Sequence, residues 1–194
     1  MIKIGITGGL GSGKSIVSSL LTIAGIPVYV ADKEGAILSN ISPVIQKKLK
    51  ELLGDDIYID GRLNREWLAS LIFTNEILLK KVNGIIHPVV REDFKGWVLN
   101  QESEYCAIES AILYESGFDR DVDVVLMVDA PVELRLSRAM KRDGATEAEI
   151  MRRMNRQMSD SLKREQANFV IVNDDVHALI PQVENFLIKL KTFA

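Results

Sequence analysis

Cysteine is nearly absent from this sequence: Cys106 is the only one in 194 residues. A single thiol cannot close a disulfide within the chain or furnish a cysteine-rich zinc site. It sits in the apolar run Tyr105-Cys106-Ala107-Ile108, which reads as core and not as the setting of a nucleophile. Long hydrophobic runs are missing too. A spanning helix needs about 20 apolar residues, and the longest strongly apolar stretch is Val124-Val125-Leu126-Met127-Val128. Met1-Ile2-Lys3-Ile4-Gly5-Ile6 reaches glycine at once and lacks the order of a signal peptide, so the expectation is a cytoplasmic protein with no membrane partner. Charge of one sign is not in excess either. Lys plus Arg is 24 and Asp plus Glu is 27, a net charge of −3. That excludes a broad basic surface for nucleic acid but leaves room for a local anion pocket.

What is present is ordinary for a soluble globular chain: 47% apolar and 26% charged residues. The length fits one domain, long enough to bury about 70% of its unfolded surface without a disulfide or metal. Short apolar runs read as five strands: Ile2 to Ile6, Pro27 to Val30, Tyr105 to Glu109, Val122 to Val128 and Phe169 to Val172. Helix signals lie between them. Ser42-Pro43 reads as an N-cap followed by proline at the first helical position, and Asn64 as a cap for Arg65 to Phe73. Ala130-Pro131 opens a helix to about Arg142. Thr146 with Glu149 fits a capping box before a helix to about Arg164, and Val176 to Leu190 is amphipathic. Strands alternating with helices imply a five-stranded parallel sheet flanked by helices, an α/β fold. Asp32 to Glu104 breaks the rhythm and reads as an almost wholly helical insertion.

The strongest motif is Gly8-Gly9-Leu10-Gly11-Ser12-Gly13-Lys14-Ser15, which matches G-x-x-x-x-G-K-[ST]. An apolar strand precedes it, and Ile16 to Ala24 continues as an apolar helix. The glycines let the backbone bend so that successive N–H groups meet phosphate oxygens, and the helix behind adds the positive end of its dipole. Lys14 reaches the outer phosphates, and the Ser15 hydroxyl suits Mg²⁺. Asp32-Lys33-Glu34-Gly35 fits the D-x-x-G of a GTPase, but it follows the second strand and no N-K-x-D or T-K-x-D accompanies it. The length excludes a large motor ATPase. A small kinase remains, with a helical insertion for the acceptor and an arginine-bearing lid. Nine of the 24 basic residues fall between Arg135 and Arg164. Arg138 and Arg142 share one helical face four residues apart, where they can stabilise transferring phosphates or form a solvated basic face.

Several segments in order resemble the dephospho-CoA kinase family. Ile6 to Ser15 is similar to its T-G-G-I-G-S-G-K-S-T, with Ile16 where the family often has threonine. Val30-Ala31-Asp32 resembles its D-A-D, Ile85-Ile86-His87-Pro88-Val89-Val90-Arg91 its H-P segment, and Ser110-Ala111-Ile112-Leu113-Tyr114-Glu115 its P-L-L-F-E, without the proline. The lid residues Arg138, Arg142-Asp143, Arg153 and Gln157 and the run Phe169 to Asn173 complete the likeness. The resemblance implies a P-loop fold of the nucleoside monophosphate kinase type. It implies a single domain over 1–194, with core 1–31, 105–142 and 165–194, acceptor insertion about 32–104 and lid about 138–164.

It also implies transfer of the γ-phosphoryl of ATP to the ribose 3′-hydroxyl of dephospho-CoA, with Mg²⁺, by a monomer or weak homo-oligomer. Asp32, just past the second strand, is expected to accept or orient the hydroxyl proton, or to cap the helix from about Lys33. Lys14 and Arg142 are the other expected catalytic groups. ATP is expected on Gly8, Gly9, Gly11, Ser12, Gly13, Lys14, Ser15, Ile16, Arg138, Arg142 and Asn173, and the acceptor on Asp32, His87, Arg91, Tyr114 and Glu115. Glu109, at a strand end, holds a metal-bound water or is a plain terminus; Asp129 is the weaker candidate. The pairing of His87 with Pro88 reads as a helix break. Trp67 and Trp97 read as core. Another small-acceptor kinase, or a regulatory module that binds ATP without chemistry, is the alternative. The latter would not need Asp32, His87 and Arg91.

Overall fold

The computed structural model describes residues 1–73 and 75–193. In chain order the elements are β1 (Ile2–Thr7), α1 (Lys14–Ile23), β2 (Val28–Val30), α2 (Ala31–Ile41), α3 (Pro43–Leu53), β3 (Tyr58–Ile59), β4 (Arg62–Leu63), α4 (Arg65–Phe73) and α5 (Glu76–Leu99). Then follow β5 (Tyr105–Glu109), β6 (Val124–Asp129), α6 (Val132–Asp143), α7 (Glu147–Asn155), α8 (Asp160–Gln166), β7 (Phe169–Val172) and α9 (Leu179–Leu190). They divide between two compact units, Met1–Tyr29 with Gln101–Ala194 and Val30–Asn100.

The first unit is built on a parallel five-stranded sheet in the order β2-β5-β1-β6-β7. β1 is central: Ile2 to Ile6 pair with Tyr105 to Glu109 on one side, and Ile4 to Thr7 with Val124 to Met127 on the other. Such a strand is covered on both faces, so it must be apolar throughout, and Ile4, Ile6, Leu126 and Val128 are fully buried. Val17 and Leu21 of α1 and Val183, Phe186 and Leu190 of α9 pack into the same core, each side chain contributing roughly 1.5–3 kcal/mol. Cys106 is buried there, and burial pushes its thiol up to about 11, the property of a core residue. Parallel strands bring Thr7, Glu109, Asp129 and Val172 to one edge, where open α/β sheets bind ligands.

The second unit packs α3, α4 and α5 around Ile45, Leu49, Ile57, Leu68 and Val82, with Trp67 partly buried against them. Trp97 stacks on buried Phe94 at 6.1 Å. Ser42 caps α3 through the Ile45 N–H, and Asn64 caps α4 through the Trp67 N–H at 3.0 Å. The segment is helical as expected over most of its length, and the short hairpin β3–β4 is its one exception among the described residues. Its turn residues Asp60 and Gly61 have φ of 48° and 75°, the left-handed pair that an Asp-Gly turn takes readily.

Three helix boundaries also differ. α5 runs unbroken through Pro88. Proline deprives the carbonyl four residues back of its donor, and that residue, Gly84, is exposed, so water can serve it. α2 begins at Ala31 with Val30 as N-cap, which puts Asp32 inside the first turn and not at the cap. The helix expected from Thr146 to about Arg164 is two helices, because Ser159 starts α8 afresh by accepting from the Leu162 N–H.

Candidate active site

The phosphate loop leaves β1 at Thr7 and enters α1 at Lys14. Gly8, Gly11 and Gly13 have φ of 149°, 80° and 90°, values that L side chains resist. Close packing reinforces the requirement. A Cβ at Gly8 would strike the Val128 carbonyl, at Gly9 the Arg135 guanidinium, at Gly11 the Arg135 carbonyl and at Gly13 the Asn173 amide. The loop is also hydrogen-bonded to itself, Ser12 N–H to the Gly9 carbonyl at 3.1 Å and Ile16 N–H to the Gly13 carbonyl at 3.0 Å. Lys14 bends across the loop, its Nζ donating to the Gly8 and Gly9 carbonyls at 3.0 and 3.2 Å. Its ammonium thus stands at the loop, and the first-turn amides of α1 add their positive potential. Ile16 side-chain exposure is high on this first turn. Ser12 Oγ is fully buried without a hydrogen-bond partner among the described residues.

Asn173, just past β7, is buried and donates its side-chain amide to the Ser12 carbonyl at 2.8 Å. Its backbone N–H goes to the Asp129 carbonyl at 2.7 Å, and its carbonyl takes Arg138 Nη1 at 3.1 Å. Arg138 also pairs with Asp175 at 2.5 Å, a residue held at φ 65°. Arg138 and Asn173, both expected at the nucleotide, therefore meet beside the loop. Arg142 lies further along α6 and is bound to Asp143, Nε to Oδ1 at 2.6 Å. Arg153 of α7 joins the same carboxylate at 2.5 Å. Two guanidiniums hold the Asp143 carboxyl down at about 2.

Sequence spacing singled out Arg138 and Arg142 and gave no individual role to Arg135, which proves to be the buried one. Its Nε donates to the Ala130 carbonyl at 3.1 Å, its Nη1 reaches the Leu10 carbonyl at 3.5 Å, and its Nη2 is paired with Asp160. Gln157 accepts the Leu10 N–H at 2.9 Å. Lys163 is also missed: it is fully buried, donates to the Ala111 carbonyl at 2.6 Å and sits 3.3 Å from Glu115. Burial drives its amine pKa down, against the pull of Glu115. Glu115 further accepts the Met158 N–H at 2.6 Å, so this expected acceptor-side residue ties the 110–115 segment to the joint between α7 and α8. The Tyr114 hydroxyl is buried without a partner among the described residues, and burial, with Asp119 adding, pushes it up to about 12.

In the second unit, Asp32 is exposed in the first turn of α2, with no hydrogen bond or ion pair to another described residue of that unit. It exerts its field on His87 of α5, whose ring is half-buried. Desolvation lowers the His87 pKa and Asp32 raises it, the first effect being larger. Arg91 follows one turn on, partly buried. α2 and α5 approach closely at Gly35, where a Cβ would stand 3.4 Å from Val90.

For a metal, the described residues contain no cluster of three or more His, Cys, Asp or Glu side chains. The exposed Ser15 hydroxyl and the Glu109 carboxylate, opposite Ile6 in register, fit an ion that takes one or two protein oxygens and fills its shell with water and phosphate. Asp129 is paired with Arg164, which leaves it less suited. Chemically, the edge of the sheet offers a cationic loop for a polyphosphate, and α2 offers a carboxylate.

The dephospho-CoA kinase family model matches residues 2–178. The dephospho-CoA kinase of Bacteroides fragilis is 49% identical over 183 residues, covering 94% of this chain and 89% of that protein. The dephospho-CoA kinase of Porphyromonas gingivalis is 47% identical, covering 99% and 96%. A crystal structure from Thermus thermophilus superposes with a TM-score of 0.83 at 32% identity, over 98% of this chain and 96% of that one. No described helix is long and apolar enough to cross a membrane.

Proposed function

The chain belongs to the dephospho-CoA kinase family and phosphorylates dephospho-CoA with ATP; from that premise we propose that the acceptor is the ribose 3′-hydroxyl and that Asp32 takes its proton. The observation that carries this reading is Asp32 itself: an exposed carboxylate two residues past β2 whose field acts on the half-buried His87. The hydroxyl oxygen forms a bond to the γ-phosphorus, the bond from that phosphorus to the β-phosphate oxygen breaks, and ADP leaves. The hydroxyl proton passes to Asp32. Lys14 and the loop amides stabilise charge on the phosphoryl oxygens, and Arg138 and Arg142 add to it from α6. Gly8, Gly9, Gly11, Ser12 and Gly13 shape the cradle, Ile16 and Asn173 border it, and His87, Arg91, Tyr114 and Glu115 serve the acceptor side.

Mg²⁺, when bound, neutralises the β- and γ-phosphates, with Ser15 as a direct ligand and Glu109 through water. As the working unit we propose a monomer or weak homo-oligomer. The compartment we assign is the cytoplasm, where ATP is in supply.

The test is ADP release with Mg²⁺ and ATP, with and without dephospho-CoA, followed by ³¹P NMR of the product. Release that depends on dephospho-CoA, with a new 3′-phosphomonoester, is the expected result. Faster turnover of adenosine monophosphate or shikimate would overturn the assignment in favour of another small-acceptor kinase.

A further inference from the structure

Both backbone groups of Leu10, in the phosphate loop, are held by side chains of α6 and of the joint between α7 and α8. The Leu10 N–H donates to Gln157 Oε1 at 2.9 Å, and its carbonyl receives the longer 3.5 Å contact from Arg135 Nη1. Gln157 lies in the joint between α7 and α8. Asp160, in the first turn of α8, holds Arg135 by an ion pair. Arg135 is 4% exposed and walls in both Gly9 and Gly11, where it leaves no room for a Cβ. Two backbone groups that would otherwise turn freely on glycine neighbours are therefore fixed from outside the loop.

We propose that Gln157 and Arg135 are positioning residues for phosphoryl transfer: the α7–α8 joint sets the orientation of the Leu10 peptide and, through it, the donor geometry of the phosphate loop. The proposal rests on the kinase reading above. Loop amides work only where they meet the charge as it develops, and small misplacements are felt strongly in rate. Neither residue needs to touch substrate to act this way. Gln157 also reaches the Ala111 carbonyl at 3.5 Å, the same oxygen that takes Lys163 Nζ, so one joint steadies both the loop and the 110–115 segment.

The experiment compares full-length Gln157→Leu, Gln157→Asn and Gln157→Glu with the parent by steady-state kinetics, melting temperature and the ¹⁵N–¹H signal of the Leu10 amide. Leucine removes the acceptor, and asparagine keeps polarity; both are one methylene shorter than glutamine. Both are expected to lower kcat about 10- to 100-fold with KM for dephospho-CoA within about threefold, and to make the Leu10 N–H exchange faster. Glutamate keeps the acceptor oxygen and is expected to restore kcat and the Leu10 signal while raising KM for ATP, because it adds negative charge. Parent-like kcat in Gln157→Leu and Gln157→Asn would overturn the proposal, and so would an equal loss of kcat in Gln157→Glu. If leucine prevents folding, the asparagine variant decides. Should the parent itself not consume dephospho-CoA, the function reading fails, while the Leu10 amide still tests the grip on the loop.

Discussion

The side-chain amide of Asn173 donates to the carbonyl of Ser12 at 2.8 Å, which bolts the residue after β7 to the middle of the phosphate loop. The same residue is bonded to Asp129 through its N–H and to Arg138 through its carbonyl, so two strand ends, the phosphate loop and one helix converge on it. Sequence position alone placed Asn173 near the nucleotide; the structure shows it as a strut of the loop. Replacing it by leucine leaves the Ser12 carbonyl without its donor. The expected loss is about 1–3 kcal/mol of stability, or roughly 2–4 °C of melting temperature per kcal/mol. KM for ATP should rise as well. Thermal melting with and without ATP checks both, and an unchanged melt and KM would show that the bond does no work.

Gly13 tests the same strut from the other side. At φ 90° and with the Asn173 amide against its missing side chain, it has two reasons to be glycine. Gly13→Ala should abolish measurable ATP binding. The double variant Gly13→Ala with Asn173→Ala removes the collision but not the backbone strain, so it should recover part of the lost stability and none of the full affinity. Calorimetric ATP titration and a double-mutant cycle separate the two causes. Strict additivity of the two single losses would refute the contact.

These cases show what was readable in advance. β5 and β7 agree residue for residue with the expected runs because continuous apolar stretches have few alternatives between polar ends. Ser42, Asn64 and Thr146 act as the caps they resemble, since capping is local chemistry. The Asp60-Gly61 turn was equally local and was overlooked inside a long helical pattern. Pro88 misled for the opposite reason: a local rule was overridden by a 24-residue helix packed on its neighbours. Arg135 was not readable, because spacing locates a helix face but cannot tell which arginine is buried against a distant loop. Arg142 looked equivalent to Arg138, yet its observed partner is the adjacent Asp143.

Asp32→Asn separates chemistry from binding. The amide keeps shape and hydrogen bonding but cannot take a proton, so turnover of dephospho-CoA should fall by orders of magnitude, on the order of the 10²–10⁴ typical of general base catalysis. ATP affinity should stay within about twofold of the parent. Because Asp32 also raises the His87 pKa against the larger effect of burial, its neutralisation should lower the His87 pKa further, which a ¹H NMR titration of the imidazole reads. Near-normal turnover would remove Asp32 from the mechanism, whatever the imidazole does.

Asp143 ties Arg142 of α6 to Arg153 of α7 across the corner between the helices, and this link has a defined pH dependence. Its carboxyl is held at about 2 against an ordinary 3.8, so the folded state binds its proton less readily than the unfolded chain. The stabilisation is therefore complete above about pH 4 and is lost as the pH falls through the interval between 3.8 and about 2. Both guanidiniums are well exposed, which limits the contribution to about 0–1 kcal/mol. Asp143→Asn should thus melt up to about 4 °C below the parent near neutral pH. The gap should shrink in 1 M salt, where screening acts within about 3 Å, and vanish near pH 2. Release of Arg142 and Arg153 should also loosen the α6–α7 corner, visible as faster amide exchange at Gly144, the first residue after α6. A stability difference that grows on acidification would reverse the sign of the linkage and exclude Asp143 as the anionic partner of the two arginines.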